Sequence, residues 1–312
     1  MNTFIRVVEV WVPSDDGSLL ELAGGLFDEA PAYGAISRAL CFGRGEGLPG
    51  QAWEAGRPVL LRTLEGSIFR RTVAAQAAGL VCAVALPIFI GGQLTSVVVL
   101  LCGEPAAHVG AVELWHNDAR IPSDLALADG YFDSTPPEVE ALTRDGSLAR
   151  GAGVPGLAWQ REATVFIDNV ADSHHFLRAQ VAASAGIVRA LALPCGTLNH
   201  QTWVLSLRSP GDTPMARRIE SWLPDDTGTR LQRAFGYCEL QGRLPASGQA
   251  TLGIDTPGPI GRAWRTGVAQ AATGTAAMDP LPPGLPQSPY PSVLAIPVIG
   301  DDATSEVLAL HF

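Results

Sequence analysis

The sequence predicts an α+β fold in which one small sheet-based domain is repeated three times in tandem. The tetrapeptide Gly-x-x-Trp occurs at residues 50–53, 156–159 and 261–264. A Glu-x-Trp segment ending at Trp11, Trp115 or Trp222 lies 39, 41 or 39 residues before the glycine, and a proline in an apolar run lies 37, 38 or 36 residues after it. Solenoid periods span about 20–50 residues, so this longer period indicates a triplicated domain.

Each copy shows the same order of secondary-structure signals. Residues 5–12, 110–115 and 217–223 predict first strands, and turn sequences after them send the chain back as a second strand. Helical stretches are expected at Ala30 to Leu40 and Pro137 to Thr143, and the Gly-x-x-Trp turn is expected to begin a short helix. Its glycine marks a position where a Cβ would not fit or φ must be positive. The proline-containing run and the next apolar segment predict a closing hairpin.

Composition and charge exclude several classes of partner. The 312 residues are 47% hydrophobic and 17% charged, with a net charge of −10. Nucleic acids and anionic membranes are bound chiefly through clustered Lys and Arg, so we expect neither as a partner. The five cysteines have no Cys-x-x-Cys spacing, and the first residues lack a basic and apolar leader. We therefore expect a cytoplasmic protein with reduced thiols.

One segment carries a resemblance to a known family. Gly47 to Val59, with the sequence Gly-Leu-Pro-Gly-Gln-Ala-Trp-Glu-Ala-Gly-Arg-Pro-Val, resembles the signature of GAF domains, which are regulatory modules of phosphodiesterases, phytochromes and bacterial sensor kinases. Repeat two continues the likeness through Ala163 to Val170, Phe176 and Ala190 to Pro194. The resemblance implies three tandem GAF-like domains, each an antiparallel sheet of five to six strands with short helices on one face and a ligand pocket enclosed by helices and loops on the other. We expect domains at residues 1–105, 106–210 and 211–312.

The sequence departs from the family at the ends of each copy. GAF modules usually carry helices before the first strand and after the last one, and only short links at residues 103–109 and 209–215 separate the copies here. Each sheet would then expose an apolar face, which is rare on soluble monomers. We therefore expect the three sheets to cover one another with pseudo-threefold symmetry.

The resemblance places a ligand pocket under the segment before the proline-containing strand. Repeat two is the best candidate, and repeat three has a proline-rich segment at residues 279–291 that cannot form a regular helix. The candidate ligand-binding residues are Phe166, Asp168, His174, His175, Phe176, Arg178 and Gln180. No cofactor or metal is indicated, because adjacent histidines point apart and lack further ligands at the usual spacing. We expect a non-enzymatic regulatory protein that binds an unidentified small molecule and signals through a partner protein.

Two other functions stay open at this point. One is a protein–protein interaction scaffold with vestigial pockets, which the proline-rich segment of repeat three favours. The other is a thiol redox enzyme similar to free methionine sulfoxide reductase, with Cys82 or Cys195 as the reactive thiol. The first thiol position of that enzyme is absent here, because the turn reads Leu48-Pro-Gly-Gln-Ala. A single thiol without a resolving partner cannot complete a reductase cycle.

Overall fold

A computed structural model describes residues 3–104, 108–117, 124–132, 135, 137–173, 182, 185–198, 201–246, 250–279, 281 and 285–312. These residues form three antiparallel sheets, one from each repeat, with a few short helices. The predicted α+β fold of three tandem sheet-based repeats is therefore confirmed. The boundaries of the three domains stay a prediction.

Repeat one contains six strands and three helices, in the sheet order β3-β2-β1-β6-β5-β4. Its elements are β1 (Ile5–Pro13), β2 (Leu19–Leu26), α1 (Pro31–Arg38), β3 (Cys41–Gly43), α2 (Gly47–Ala55), β4 (Val59–Leu61), α3 (Thr72–Ala77), β5 (Leu80–Ile90) and β6 (Gln93–Gly103). Gly91 and Gly92 join β5 to β6 with φ values of 56° and 78°. Two positive φ values in a two-residue loop match the right-handed twist of the hairpin.

Repeat two has the same sheet order read from the opposite edge, β10-β11-β12-β7-β8-β9. Its elements are β7 (Ala111–Asn117), β8 (Asp124–Tyr131), α4 (Pro137–Arg144), β9 (Ser147–Ala149), α5 (Gly153–Arg161), β10 (Val165–Ile167), β11 (Arg189–Cys195) and β12 (Thr202–Ser209). The helical stretches expected near residues 30 and 137 are thus α1 and α4.

Repeat three differs from the other two between its second strand and its helix. Its elements are β13 (Arg218–Pro224), β14 (Arg230–Cys238), β15 (Gly242–Arg243), β16 (Thr251–Gly253), α6 (Pro259–Thr266), β17 (Gln270–Thr273), β18 (Ser292–Gly300) and β19 (Ala303–His311). The sheet order is β15-β14-β13-β19-β18-β17, and β16 also pairs with β14. This sheet has seven strands instead of the predicted five to six, because the chain forms β15 where α1 and α4 occur in the other repeats. The strand β16 pairs with β14 as β3 pairs with β2 and β9 with β8.

The tryptophans of the Glu-x-Trp segments occupy equivalent positions. Trp11 lies opposite Val97, Trp115 opposite Val204 and Trp222 opposite Val307. In each repeat the pairing with the second strand shifts register immediately before the tryptophan. The same register and the same bulge in three sheets are what a triplicated unit requires.

One face of each sheet packs into a core shared by all three repeats. This core contains alternate residues of the central strands, including Val98 and Leu100 of β6, Leu205 and Leu207 of β12, and Leu308 and Leu310 of β19. The opposite face of each sheet packs against its own helices and loops in a separate core. The sheets therefore cover one another as expected, whereas the pseudo-threefold symmetry stays a prediction.

The closing hairpins contact the neighbouring repeats in a cyclic order. Each contact joins the hairpin of one repeat to the chain just after the Gly-x-x-Trp helix of another. Thr95 Oγ1 donates to Gly267 O (2.6 Å), Thr164 N donates to Glu306 Oε2 (2.7 Å) and Leu198 N donates to Gly56 O (3.2 Å). Repeat one thus contacts repeat three, repeat three contacts repeat two, and repeat two contacts repeat one.

The glycines of the Gly-x-x-Trp segments lie where a helix closely approaches backbone carbonyls. A Cβ on Gly50, Gly156 or Gly261 would lie 2.0, 2.4 or 2.2 Å from a carbonyl oxygen of the preceding strand or turn. This confirms that a side chain does not fit, although none of the three φ values lies in the left-handed region. The helices begin two or three residues before these glycines, so the tetrapeptide lies inside the helix and does not initiate it.

Candidate functional site: buried glutamate–arginine sites

Each sheet carries a buried glutamate on its helix-covered face, supplied by the Glu-x-Trp segment. Residues two apart on a strand share a face, and the indole Nε1 of the tryptophan donates to the glutamate in every repeat. The distances are 3.1 Å for Trp11 to Glu9, 2.9 Å for Trp115 to Glu113 and 3.0 Å for Trp222 to Glu220. The glutamates are at most 2% exposed. A carboxylate at such a depth requires a positive partner.

In repeat one the partner is Arg71, which enters from the segment before α3. Its two terminal nitrogens donate to the two oxygens of Glu9, and Nη1 also donates to Ser37 Oγ (2.6 Å). Both oxygens of Glu9 therefore accept hydrogen bonds, with a geometry typical of a bidentate arginine–carboxylate pair.

Aromatic rings surround the same guanidinium group. Its central carbon lies 4.9–5.6 Å from four ring centroids, those of Trp11, Tyr33, Phe42 and Phe69. At this distance the ring faces attract a cation. Burial and the charge of Glu9 raise the pKa of Tyr33 well above its ordinary value, so its hydroxyl stays neutral. The side chain of Arg71 thus fills the position that a bound cation would occupy, and the site of repeat one is closed.

In repeat two the partner is Arg208 on β12. Its Nη2 donates to Glu113 Oε2 (2.9 Å), the same oxygen that accepts from Trp115. Glu113 Oε1 accepts no hydrogen bond from the residues that the structure describes. Because Glu113 is fully buried, this oxygen lacks both water and a described protein donor. It is the clearest difference between this site and that of repeat one.

In repeat three two arginines from the sheet itself pair with Glu220. Arg218 Nε and Arg233 Nη1 donate to Glu220 Oε1 at 2.6 and 2.9 Å, and His311 Nε2 lies 3.9 Å from Oε2. Arg218 also donates to the carbonyl of Pro286 in the proline-rich segment (3.1 Å). The described part of this segment contains no helix, as predicted. A cavity of only about 20 Å³ is left here, which has room for a single water molecule.

Burial shifts two ionisable groups at the cavity of repeat three. It raises the pKa of Asp279 to about 6 and lowers the pKa of His311 to about 4. Asp279 Oδ2 accepts from Ile260 N at the start of α6 (3.3 Å), and neither ring nitrogen of His311 hydrogen-bonds to a described residue. At neutral pH His311 is therefore uncharged, and the two arginines supply the positive charge.

The glutamate keeps its position in all three repeats, but the arginine does not. Four residues after the valine opposite the buried tryptophan, the last strand carries Leu101, Arg208 or His311. Only repeat two has its arginine at this point. In the sequence these glutamates were interpreted only as markers of the repeat, and their buried charge was not predicted. The available signal was a glutamate inside an apolar strand in all three copies.

Two of the residues predicted to bind a ligand face away from this site. Phe166 packs against the shared core and stacks on Phe235 of repeat three, with ring centroids 6.0 Å apart. Asp168 accepts from Arg243 of repeat three at 2.5 and 2.9 Å. Both side chains lie at the boundary between repeats two and three, because Phe166 alternates with Val165 and Ile167, which face the helices. The other predicted residues, His174, His175, Phe176, Arg178 and Gln180, lie outside the described residues.

Of the cysteines named for the redox alternative, Cys82 is buried and Cys195 is half-buried. Cys82 lies directly opposite Cys102 across β5 and β6, so it is not isolated as the sequence suggested. Both thiols face the shared core and are fully buried. Burial raises the pKa of Cys195 to about 12, and a thiol that stays protonated is a weak nucleophile.

The described part of the chain has neither a metal-binding cluster nor a helix that could span a membrane. It contains no group of three or more His, Cys, Asp or Glu side chains placed to hold a metal ion. None of its helices is long and apolar enough to span a membrane.

Comparisons with known proteins return similar structures but no similar sequences. No family model and no curated protein matches the chain. Free methionine-R-sulfoxide reductase from Neisseria meningitidis, solved with its substrate, is 21% identical over 32% of this chain and 51% of its own, with a TM-score of 0.24. A GAF domain from A. aeolicus in an inactive state is 17% identical over 32% of this chain and 58% of its own, with a TM-score of 0.26. A GAF domain/HD domain protein from Geobacter sulfurreducens is 13% identical over 33% and 65%, with a TM-score of 0.28.

Each match covers about a third of this chain, the length of one repeat. The matched part spans between about half and two thirds of these three structures. The sheet-and-helix architecture of each repeat agrees with the resemblance seen in the sequence. In fold, the chain consists of three tandem repeats, each an antiparallel sheet with short helices.

Proposed function

We propose that the protein is a non-enzymatic regulatory protein in which repeat two binds a small molecule beside Glu113 and a partner protein responds to the bound state. GAF-like folds occur in sensory and regulatory proteins. In this proposal repeats one and three are closed by their own arginines and serve as the framework that holds repeat two.

The observation that carries the proposal is the free oxygen of Glu113. A buried polar atom without a hydrogen bond costs about 1–3 kcal/mol, and more when it is charged, so a donor at Oε1 would be strongly favoured. In repeat one Arg71 supplies that donor to Glu9. The ligand of repeat two would supply it as an amine, guanidinium or amide N–H group. His174, His175, Phe176, Arg178 and Gln180 are proposed to cover it, whereas Phe166 and Asp168 are not part of this site.

Two measurements test the proposal. Native mass spectrometry of freshly purified protein should show a bound small molecule, and thermal melting with a panel of amines, guanidines and amides should show a ligand-dependent rise. The Glu113→Gln variant should lose that rise, since the neutral amide no longer attracts a cationic donor. The matched Glu9→Gln variant in repeat one should melt at a lower temperature and keep the response. A response that survives Glu113→Gln but disappears in Glu9→Gln would contradict the assignment.

A second function, an interaction scaffold, is favoured by a different observation. The sites of repeats one and three are occupied by Arg71 and by the Arg218–Arg233 pair. Protein that carries no bound mass and melts at one temperature with every compound of the panel would favour this scaffold over the sensor. The cytoplasmic location and the partner protein are part of the proposal in both cases.

A further inference from the structure

A cavity of about 690 Å³ opens where the closing hairpins of the three repeats meet. Small-molecule sites usually measure about 300–1,000 Å³. Its lining includes residues of the β5–β6 turn, the β11–β12 connection and the β18–β19 turn. Trp159 near the end of α5 and Glu162 directly after α5 also line it. None of the buried glutamates lines it, so this cavity is separate from the site beside Glu113.

The lining combines apolar and aromatic side chains. It includes Phe89, Pro194 and Ile299 and the two tryptophans Trp159 and Trp203. Trp203 is only 6% exposed, and the single described partner of its Nε1 is Gln201 Oε1 at 3.5 Å. Ordinary N–H···O hydrogen bonds measure about 2.7–3.2 Å. The buried indole N–H is therefore poorly satisfied and available to a hydrogen-bond acceptor.

The rim of the cavity carries three carboxylates. They belong to Glu162, Asp301 and Asp302, all of which are exposed. Glu162 pairs with the exposed Arg150 at 3.3 Å, whereas Asp301 and Asp302 have no ion pair among the described residues. Arg150 and Arg57 lie over the rings of Trp159 and Trp203, at 5.7 and 5.0 Å. The indole rings and Glu162 thus already attract the cationic side chains of two arginines of the protein.

These three acidic residues are also the non-glycine residues with positive φ in the described part of the chain. Their φ values are 52° for Glu162, 48° for Asp301 and 58° for Asp302. The left-handed region costs an ordinary residue about 1–2 kcal/mol. Repeats one and three have glycine at the equivalent helix end, Gly56 and Gly267, and repeat one has Gly91–Gly92 at the equivalent turn. The backbone therefore accepts glycine at each of these places. The acidic residues occur there although their positive φ values cost conformational energy.

We propose that this cavity binds a small organic amine: its apolar body packs between Trp159 and Trp203, and its ammonium group lies at the carboxylates of Glu162, Asp301 and Asp302. An oxygen acceptor on the same molecule would receive the indole N–H of Trp203. A single metal ion fits less well, because the described carboxylates are not grouped closely enough to hold one. The proposal does not rest on the ligand of repeat two.

Three probes with one common body test the charge preference. Tyramine carries an ammonium group, 4-ethylphenol lacks it, and 3-(4-hydroxyphenyl)propionate carries a negative charge instead. Calorimetric titration of the full chain at low salt should rank their affinities in that order. The advantage of tyramine over 4-ethylphenol should shrink as salt is added, because solvent-exposed charges are screened. Equal affinities of tyramine and 4-ethylphenol would overturn the proposal.

Substitution by the glycines of the other repeats tests the site itself. Asp301→Gly/Asp302→Gly and Glu162→Gly should each weaken tyramine binding by about two- to fivefold per charge removed, the range of an exposed ion pair. The same variants should melt at the wild-type temperature or above it, because the strained φ values are relieved. A loss of binding caused by unfolding would lower the melting temperature instead. Variants that are stabilised and still prefer tyramine as strongly as the wild type would refute the role of these carboxylates.

Discussion

Repeats one and two contain the same buried glutamate and tryptophan, yet among the described residues only repeat one supplies hydrogen-bond donors to both carboxylate oxygens. Both oxygens of Glu9 accept from Arg71, whereas Glu113 Oε1 has no donor among the described residues. The difference arises from the origin of the arginine. Arg71 comes from the segment before α3 and reaches the glutamate end-on, and Arg208 comes from the neighbouring strand and reaches one oxygen. Among the described residues, the same sheet frame therefore satisfies both glutamate oxygens in repeat one and only one of them in repeat two.

The contrast between repeats one and two depends most on Arg71, which closes the site of repeat one. Arg71→Ala should lower the free energy of unfolding by about 3–5 kcal/mol, because it leaves the charge of Glu9 buried without a partner. Urea denaturation followed by tryptophan fluorescence measures the loss. The Glu9→Gln/Arg71→Met double variant is the control and should lose less, since it leaves no buried charge. A loss below about 1 kcal/mol for Arg71→Ala, the range of an exposed pair, would show that the ion pair does not close the site.

The frame of these sites could be predicted from the sequence, because it depends on local patterns. Glu-x-Trp spacing, the proline-containing hairpins and the glycines at close approaches each recur in register. The closure of the sites could not be predicted. Arg71 and Glu9 are 62 residues apart, and the sequence alone does not show that their side chains meet. The face taken by Phe166 could not be predicted either, because a shift of one residue on a strand moves a side chain to the other face.

Repeat three sharpens the comparison, since it has His311 where repeat two has Arg208. The pKa of His311 falls from 6.5 to about 4 on folding. Its contribution to stability is therefore complete above pH 6.5 and is lost as the pH falls toward 4, because the unfolded chain takes up the proton first. The pKa of Asp279 rises from 3.8 to about 6. Asp279 has the opposite effect: its contribution is present below pH 3.8 and is lost as the pH rises through 6.

Replacing the histidine separates the two effects. Between pH 6.5 and 4 the His311→Gln variant should lose less stability than the wild type, by at most about 3 kcal/mol, since one pKa unit corresponds to about 1.36 kcal/mol. Thermal melting of both proteins at half-unit steps of pH measures the difference, and Asp279→Asn provides the complementary control. Parallel curves for wild type and His311→Gln would mean that His311 is not held neutral in the folded protein.

The smallest expected effect concerns the residue that the sequence placed in the ligand site. Asp168 pairs with Arg243, whose side chain is 81% exposed, so Asp168→Asn should cost only about 0.2–1 kcal/mol. It should leave the ligand response of repeat two unchanged, in contrast to Glu113→Gln, because Asp168 faces repeat three. Melting of the two variants with and without an active compound compares them directly.

If Asp168→Asn abolished the response at nearly unchanged stability, the ligand would bind at the boundary of repeats two and three, where a cavity of about 240 Å³ lies beside Phe166 and Tyr237. The open oxygen of Glu113 would then require another explanation, and the difference between repeats one and two would no longer indicate a binding site.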